Sequence, residues 1–293
     1  MYPTLFRIGH FSLSTYGVLI ALAFLAAAQV TAKGMGERGL KSDHAWTLAL
    51  YALAGGFLGA KIYYVLLHGD ASAFLSRGGF VWYGGLIGGA ASVLWFIRRE
   101  GLPLSVAADA LAPALPLGHA IGHLGCFFSG DSYGLPSNLP WAVAFKYGAP
   151  PSTAGALRNE FGVSLPASLA DDALVRVHPT MLYSALALLI IFLVLWSLRR
   201  RPLPSGWLFG LYLALSGTER FLVEFVRAKD DRFLWGFSTA QAIAALSIVL
   251  GLGLLIFLKK RRSQKAPGRA GASGDRSPAP AHPPASRGAV ETS

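Results

Sequence analysis

Residues Pro179–Leu198 read PTMLYSALALLIIFLVLWSL, and Arg199, Arg200 and Arg201 follow at once. The run holds no charge, and at 1.5 Å of rise per residue it is just long enough to cross a hydrocarbon layer about 30 Å thick. No water is available there to bond backbone N–H and C=O groups, so a segment of this kind must satisfy them internally as a helix. The arginine triplet that ends it marks the cytoplasmic side.

Six further segments of similar length and character lie outward from this one: Ser14–Ala32, Ala45–Leu67, Phe80–Ile97, Leu104–Phe128, Gly206–Val226 and Trp235–Leu258. The expected fold is therefore an all-α polytopic membrane protein of seven transmembrane helices. Composition agrees, with 53% hydrophobic residues and only 14% charged, against about a quarter charged in soluble domains. Mean hydropathy is +0.47. One set of connections carries Lys33, Arg38 and Lys41, then Arg98 and Arg99, then Arg199–Arg201, then Lys259–Arg262. The other set is sparser or balanced by acids: Arg7, Arg77, and Arg227, Lys229 and Arg232 beside Asp230 and Asp231. The denser set belongs in the cytoplasm, which puts the N-terminus outside and the C-terminus inside an inner (cytoplasmic) membrane.

The longest connection, 129–178, falls between the fourth and fifth helices and on the outer side. It is too rich in proline for a span (Pro136, Pro140, Pro150, Pro151, Pro166) yet apolar enough to pack, so it reads as a small external head. Residues 1–258 form the membrane domain. The remainder, 259–293, is a basic cytoplasmic tail whose Pro/Ala/Gly/Ser composition gives no core and implies disorder. That tail carries +6 of the net charge of +11, so topology accounts for the basicity and a nucleic-acid partner is not needed. The single cysteine, Cys126, rules out an intramolecular disulfide or a multi-cysteine metal site and reads as buried packing. The opening MYPTLFRIGHFSLST has no basic region leading into a cleavable apolar core, so the first span is expected to stay in the mature protein.

Ionisable groups inside spans are costly and face bundle interiors or polar cavities. Here they are Lys61, Asp109, His119, His123, Glu219, Arg220 and Glu224, with Arg227 at a helix end. Asp109 fits a structural hydrogen-bonding role and Lys61 could snorkel. Positions 220, 224 and 227 follow i, i+4, i+7 spacing, which places them on one helical face. Two guanidiniums around one carboxylate form either a salt-bridge ladder or a partly neutralised anion site; the planar fork of arginine suits phosphate, and the anion site is the favoured reading. Glycines at 84, 85, 88 and 89, and at 118, 122 and 125, make faces for close helix packing. Tyr83 and His123 beside these glycines suggest a cavity open to the outer leaflet at the level of the arginines.

Pieces in order along nearly the whole chain to Leu258 strongly resemble the prolipoprotein diacylglyceryl transferase family. They are Ser14-Thr-Tyr16-Gly17, Gly59-Ala-Lys61-Ile-Tyr-Tyr-Val, Tyr83-Gly-Gly-Leu-Ile-Gly, the stretch from Gly122-His123 to Asp131-Ser-Tyr-Gly134, His178-Pro-Thr-Met-Leu-Tyr183, Arg220-Phe-Leu-Val-Glu224-Phe-Val-Arg227 and Ser238-Thr-Ala-Gln241. The resemblance implies transfer of diacylglycerol from phosphatidylglycerol to the lipobox cysteine of a preprolipoprotein, with no metal or cofactor; a monomer is expected, though the sequence itself carries no sign of oligomeric state. It implies catalytic roles for His123, Arg220, Tyr83 and Glu224. Lipid or substrate contacts are implied for Tyr16, Lys61, Asp131, Arg227, Gln241, His178 and Tyr183, and Pro179 also suits a helix's first turn.

The chain departs from the family pattern at several of these positions. Lys61 and His123 stand where the family has arginine, the latter being associated with lipid phosphate. Tyr83 stands where histidine is frequent, Asp131 where glutamate is common, Cys126 where asparagine or cysteine is usual, and Met181 and Ser184 replace glutamine and glutamate. Two other readings stay open at this stage: a divergent, weakly active or inactive relative that binds phospholipid or lipoprotein precursors without transfer, and a small-solute transporter. Against the transporter, the sequence lacks the matched pair of interrupted helices that marks many such proteins.

Overall fold

Ser14 starts the first long helix. Its side chain accepts a 3.0 Å bond from the Gly17 N–H, so one of the orphan donors of the first turn is satisfied. From there the computed structural model is mainly helical. It describes residues 4–8, 11–69, 72, 74, 81–229 and 236–264. Expectations resting on Arg77, Phe80, Asp230, Asp231, Arg232, Trp235 and the tail from Lys265 lie outside those residues.

The helices are α1 (Thr15–Gly36), α2 (Asp43–His68), α3 (Trp82–Arg99), α4 (Leu104–Leu111), α5 (Ala114–Ser129), α6 (Ala154–Asn159), α7 (Thr180–Leu198), α8 (Trp207–Val223) and α9 (Thr239–Gln264). Among the described residues, five helical segments are long and apolar enough to cross a membrane: Thr15–Gly36, Asp43–His68, Leu104–Ser129, Thr180–Leu198 and Thr239–Arg261. The chain is thus a multi-span membrane protein. α3 and α8 are shorter, at 18 and 17 residues, and each carries charges near its C-terminal end. Large apolar side chains point outward along the long helices, among them Leu66, Val249 and Ile256. Such a surface suits lipid as the solvent.

Three expectations need correction. The chain is not purely helical, because β1 (Thr4–Ile8) and β2 (Phe11–Ser14) pair antiparallel ahead of α1. The fourth span holds as one crossing, Leu104–Ser129, but is not one uninterrupted helix: Pro113 and Pro116 cannot donate to the carbonyls four residues back, so its hydrogen bonding is interrupted between Leu111 and Ala114. The sixth helix ends at Val223, passes through a 3-10 turn at Glu224–Val226, and leaves Arg227 extended at φ −78°, ψ 140°. Backbone pairing explains the stop, since Arg227 bridges to Gly134 and the Leu135 N–H donates to Val226 O at 2.8 Å.

Helix pairs meet through small residues. A Cβ on Gly59 would clash with the Gly84 carbonyl and lie 2.9 Å from Gly88 Cα, so α2 and α3 touch backbone to backbone. The Ser92 hydroxyl on α3 donates to Tyr51 O of α2 at 2.8 Å, a polar bond across the pair. The connection 129–178 is folded around Tyr133, Phe145, Leu157 and Val177, and Met181 of α7 joins the same cluster. Burial pushes the Tyr133 phenol up to about 12; its hydroxyl donates to Pro151 O at 3.1 Å. At the opposite end, Asp109 of α4 takes the Gly206 N–H at 2.8 Å and the Phe209 N–H at 2.9 Å, which caps α8. The structural role expected of Asp109 is therefore observed.

Candidate functional site: an arginine pair at the end of α8

Arg220, Glu224 and Arg227 do converge, though not as one helical face. Arg220 Nη1 lies 2.5 Å from Glu224 Oε2 across a helical turn. Arg227 Nη1 reaches the same oxygen at 4.0 Å from the extended segment beyond the 3-10 turn. Glu224 is only 3% exposed, whereas the arginine side chains keep 27% and 16% of their surface. A buried carboxylate thus anchors two cations that each keep part of their surface, while Arg227 Nε is buried without a hydrogen-bond partner among the described residues.

A second tie holds Glu224 from the far side. Ser238 donates its hydroxyl to Glu224 Oε1 at 3.0 Å. Ser238 and Gln241 form a reciprocal capping box at the start of α9: the Gln241 N–H donates to Ser238 Oγ at 3.2 Å, and the Ser238 N–H donates to Gln241 Oε1 at 3.0 Å. Gln241, expected as a lipid contact, is buried with its side-chain oxygen engaged in that cap. Ser238 was missed as a site residue. The S-x-x-Q pattern signals the cap, but nothing in it signals the bond to Glu224.

His123 lies on α5 within electrostatic reach of Arg227 and Arg220. Its ring stacks on His119, with centroids 4.9 Å apart and planes at 26°. His123 Nδ1 is buried and has no hydrogen-bond partner among the described residues. His119, absent from the expected set, is likewise within reach of Arg220. Tyr16 and Asp131 join the group through Cys126: both lie within electrostatic reach of its thiol, and Asp131 and Cys126 also influence Arg227. Cys126 is half-buried against the cluster around Tyr133, in line with packing. The Tyr16 ring rests on Gly125, where a Cβ would lie 3.0 Å from its Cδ2.

His178 and Tyr183 pair with each other. His178 Nδ1 and the Tyr183 hydroxyl are 3.2 Å apart, and the exposed Trp141 donates its indole N–H to the same hydroxyl at 2.8 Å. The backbone around His178 is stitched to Gly134 and Leu135, at 2.8 Å and 3.0 Å. Gly134 has no room for a side chain there, since a Cβ would lie 2.8 Å from His178 Cβ. Lys61 and Tyr83 belong to the α2–α3 hairpin; Lys61 is buried, and Tyr83 is half-buried with its ring edge-on to Trp82. The ion pairs and hydrogen bonds of Glu224 run instead to α8, the segment after it and α9.

The fold and this cluster define a class: a multi-span membrane protein in which one buried carboxylate draws two arginines together near a helix end. The chain belongs to the prolipoprotein diacylglyceryl transferase family, whose pattern it matches over residues 3–257. It is similar to proteins called phosphatidylglycerol–prolipoprotein diacylglyceryl transferase in three distant bacteria. Identity is 31% to that of Clostridium tetani, covering 86% of this chain and 96% of the relative. It is 31% to that of Geobacter sulfurreducens, covering 89% and 96%, and 34% to that of Bordetella avium, covering 90% and 97%.

Proposed function

We propose that this chain transfers the diacylglyceryl group of phosphatidylglycerol to the lipobox cysteine of preprolipoproteins, as a multi-pass protein of the bacterial cytoplasmic membrane. Family membership and the names of the relatives support the reaction. The observation that carries the site assignment is the Arg220–Glu224–Arg227 cluster, buried at its carboxylate and open at its guanidiniums.

In this reading the lipobox thiolate attacks the glycerol carbon that bears the phosphate. A C–S bond forms, the C–O bond breaks, and its electron pair leaves with glycerol-1-phosphate. Arg220 and Arg227 stabilise the charge that grows on the departing phosphate, and Glu224 holds their geometry. His123 takes the thiol proton or donates to the phosphate, because a thiolate and not a thiol is the nucleophile. Tyr83 bonds at the same recess, and Tyr16, Lys61, Asp131, His178, Tyr183 and Gln241 line or brace the path of lipid and peptide.

The proposed topology has seven crossings in residues 1–258, with α3 and α8 among them, the N-terminus outside and the C-terminus inside. Arg199–Arg201 and the basic end of α9 support that orientation. Segment 129–178 is the external head, 259–293 the cytoplasmic tail, and the working unit a monomer.

A second reading, binding without transfer, draws on His123, whose Nδ1 has no partner among the described residues where the resemblance implies arginine. The deciding experiment incubates the purified protein with phosphatidylglycerol vesicles and a lipobox peptide, then weighs the peptide by mass spectrometry. A gain of one diacylglyceryl group, lost when the peptide cysteine is serine, is expected. No gain beside a working relative would favour the binder.

A further inference from the structure

At the end of the bundle opposite Arg220, a second charged recess opens between the α1–α2 turn, α4 and the α7–α8 turn. Arg220 is near the C-terminus of α8 and this recess near its N-terminus at Trp207, so the two are about 20 Å apart along the helix. The cleft has a volume of about 520 Å³ and is lined by Arg38, Arg199, Arg200 and Arg201 with Glu37 and Asp109. That volume is ample for a small polar ligand or headgroup.

Both acids are committed. Asp109 accepts two backbone N–H groups of α8. Glu37 accepts Arg199 Nε at 3.1 Å on one oxygen and Arg200 Nη2 at 2.9 Å on the other. The bases are not matched in the same way. Among the described residues Arg38 donates to two carbonyls, Gly34 O at 3.0 Å and Arg199 O at 3.4 Å. Among the described residues no carboxylate pairs with Arg38 or with the exposed Arg201. Burial pushes the Arg38 guanidinium down from its ordinary value, and the nearby Asp109 and Glu37 do not offset it. A half-buried cation facing a cleft with its counter-charges already engaged calls for an anion from outside.

We propose that this cleft binds the phosphate headgroup of an acidic phospholipid in the membrane leaflet opposite the Arg220 site. The half-buried apolar residues Val106 and Leu203 on its wall give acyl chains a surface that free phosphate would not use. Basic pockets between helix ends hold acidic headgroups on the same physical grounds. An occupied cleft would join α1, α4, α7 and α8 at their shared end.

The test uses the full chain in neutral detergent with Arg220→Ala, so that the other cationic site contributes little. Binding of short-chain phosphatidic acid is measured by native mass spectrometry and by melting temperature, with inorganic phosphate and short-chain phosphatidylcholine as parallel arms. Phosphatidic acid is expected to bind and to raise the melting temperature, and the other two are not. Arg38→Gln with Arg201→Gln should weaken binding about fivefold per arginine. Arg201→Gln alone, at an exposed position that cannot disturb packing, should weaken it about fivefold. Unchanged affinity in Arg201→Gln and the double variant, or equal binding of inorganic phosphate, would overturn the proposal. Because the readout is binding in a variant disabled for transfer, it stands or falls independently of the transferase reaction.

Discussion

Ser238 donates its hydroxyl to Glu224 Oε1 at 3.0 Å, joining the cap of α9 to the 3-10 turn that lies between the two site arginines. The Ser238 hydroxyl oxygen in turn accepts the Gln241 N–H. One hydroxyl therefore caps a helix and fixes the buried carboxylate that orients Arg220 and Arg227.

Ser238→Ala removes a hydrogen bond to a charged group, a loss of about 1.5–3 kcal/mol. Transfer should fall roughly tenfold or more through a raised KM for phosphatidylglycerol, while the protein still inserts and purifies. Kinetics with varied lipid check this, and unchanged KM would remove Ser238 from the site.

Arg220→Ala should lower transfer at least about 100-fold, the usual scale for losing a donor to developing charge. Membrane insertion should be normal, because the residue lies at the end of α8 and keeps part of its surface open. Peptide mass spectrometry is the readout, and full activity would sink the role given to Arg220.

Gly134→Ala puts a methyl group against His178 and the Val226 carbonyl. The strand-like contact that extends Arg227 should open, at a cost of about 1–3 kcal/mol. Activity should drop more than the melting temperature suggests, because the displaced residue is Arg227.

Gly59→Leu should disrupt the α2–α3 pair itself, where the Gly84 carbonyl leaves no space. Lower yield of folded protein and a reduced melting temperature in detergent are expected. A variant as stable as the parent would contradict the backbone-to-backbone contact.

Glu37 supplies a pH dependence. Burial alone would raise its pKa, but hydrogen bonds and charge from Arg200 and Arg199 hold it below its ordinary 4.5. A carboxylate depressed in the folded state stabilises fully above its unfolded value and loses that contribution as pH falls through the folded one. The melting temperature should therefore decline as pH drops below about 4.5, and Glu37→Gln should flatten that slope.

The sequence by itself determined the membrane class and the approximate course of the long apolar spans. Length and apolarity are local properties, and a segment such as Pro179–Leu198 needs no partner to be a span. The charge cluster at 220, 224 and 227 was legible too, because residues a turn apart are neighbours whatever surrounds them. Only the tertiary structure decided how the cluster is built. Arg227 left the helix because Gly134, distant in sequence, captured its backbone, and Glu224 gained Ser238 from another helix. Gln241 looked like a ligand contact and is part of a helix cap; His119 and His123 became a stacked pair beside both arginines. Such contacts join residues far apart in the chain, and their geometry exists only once the helices have packed; one-dimensional spacing carries no record of it.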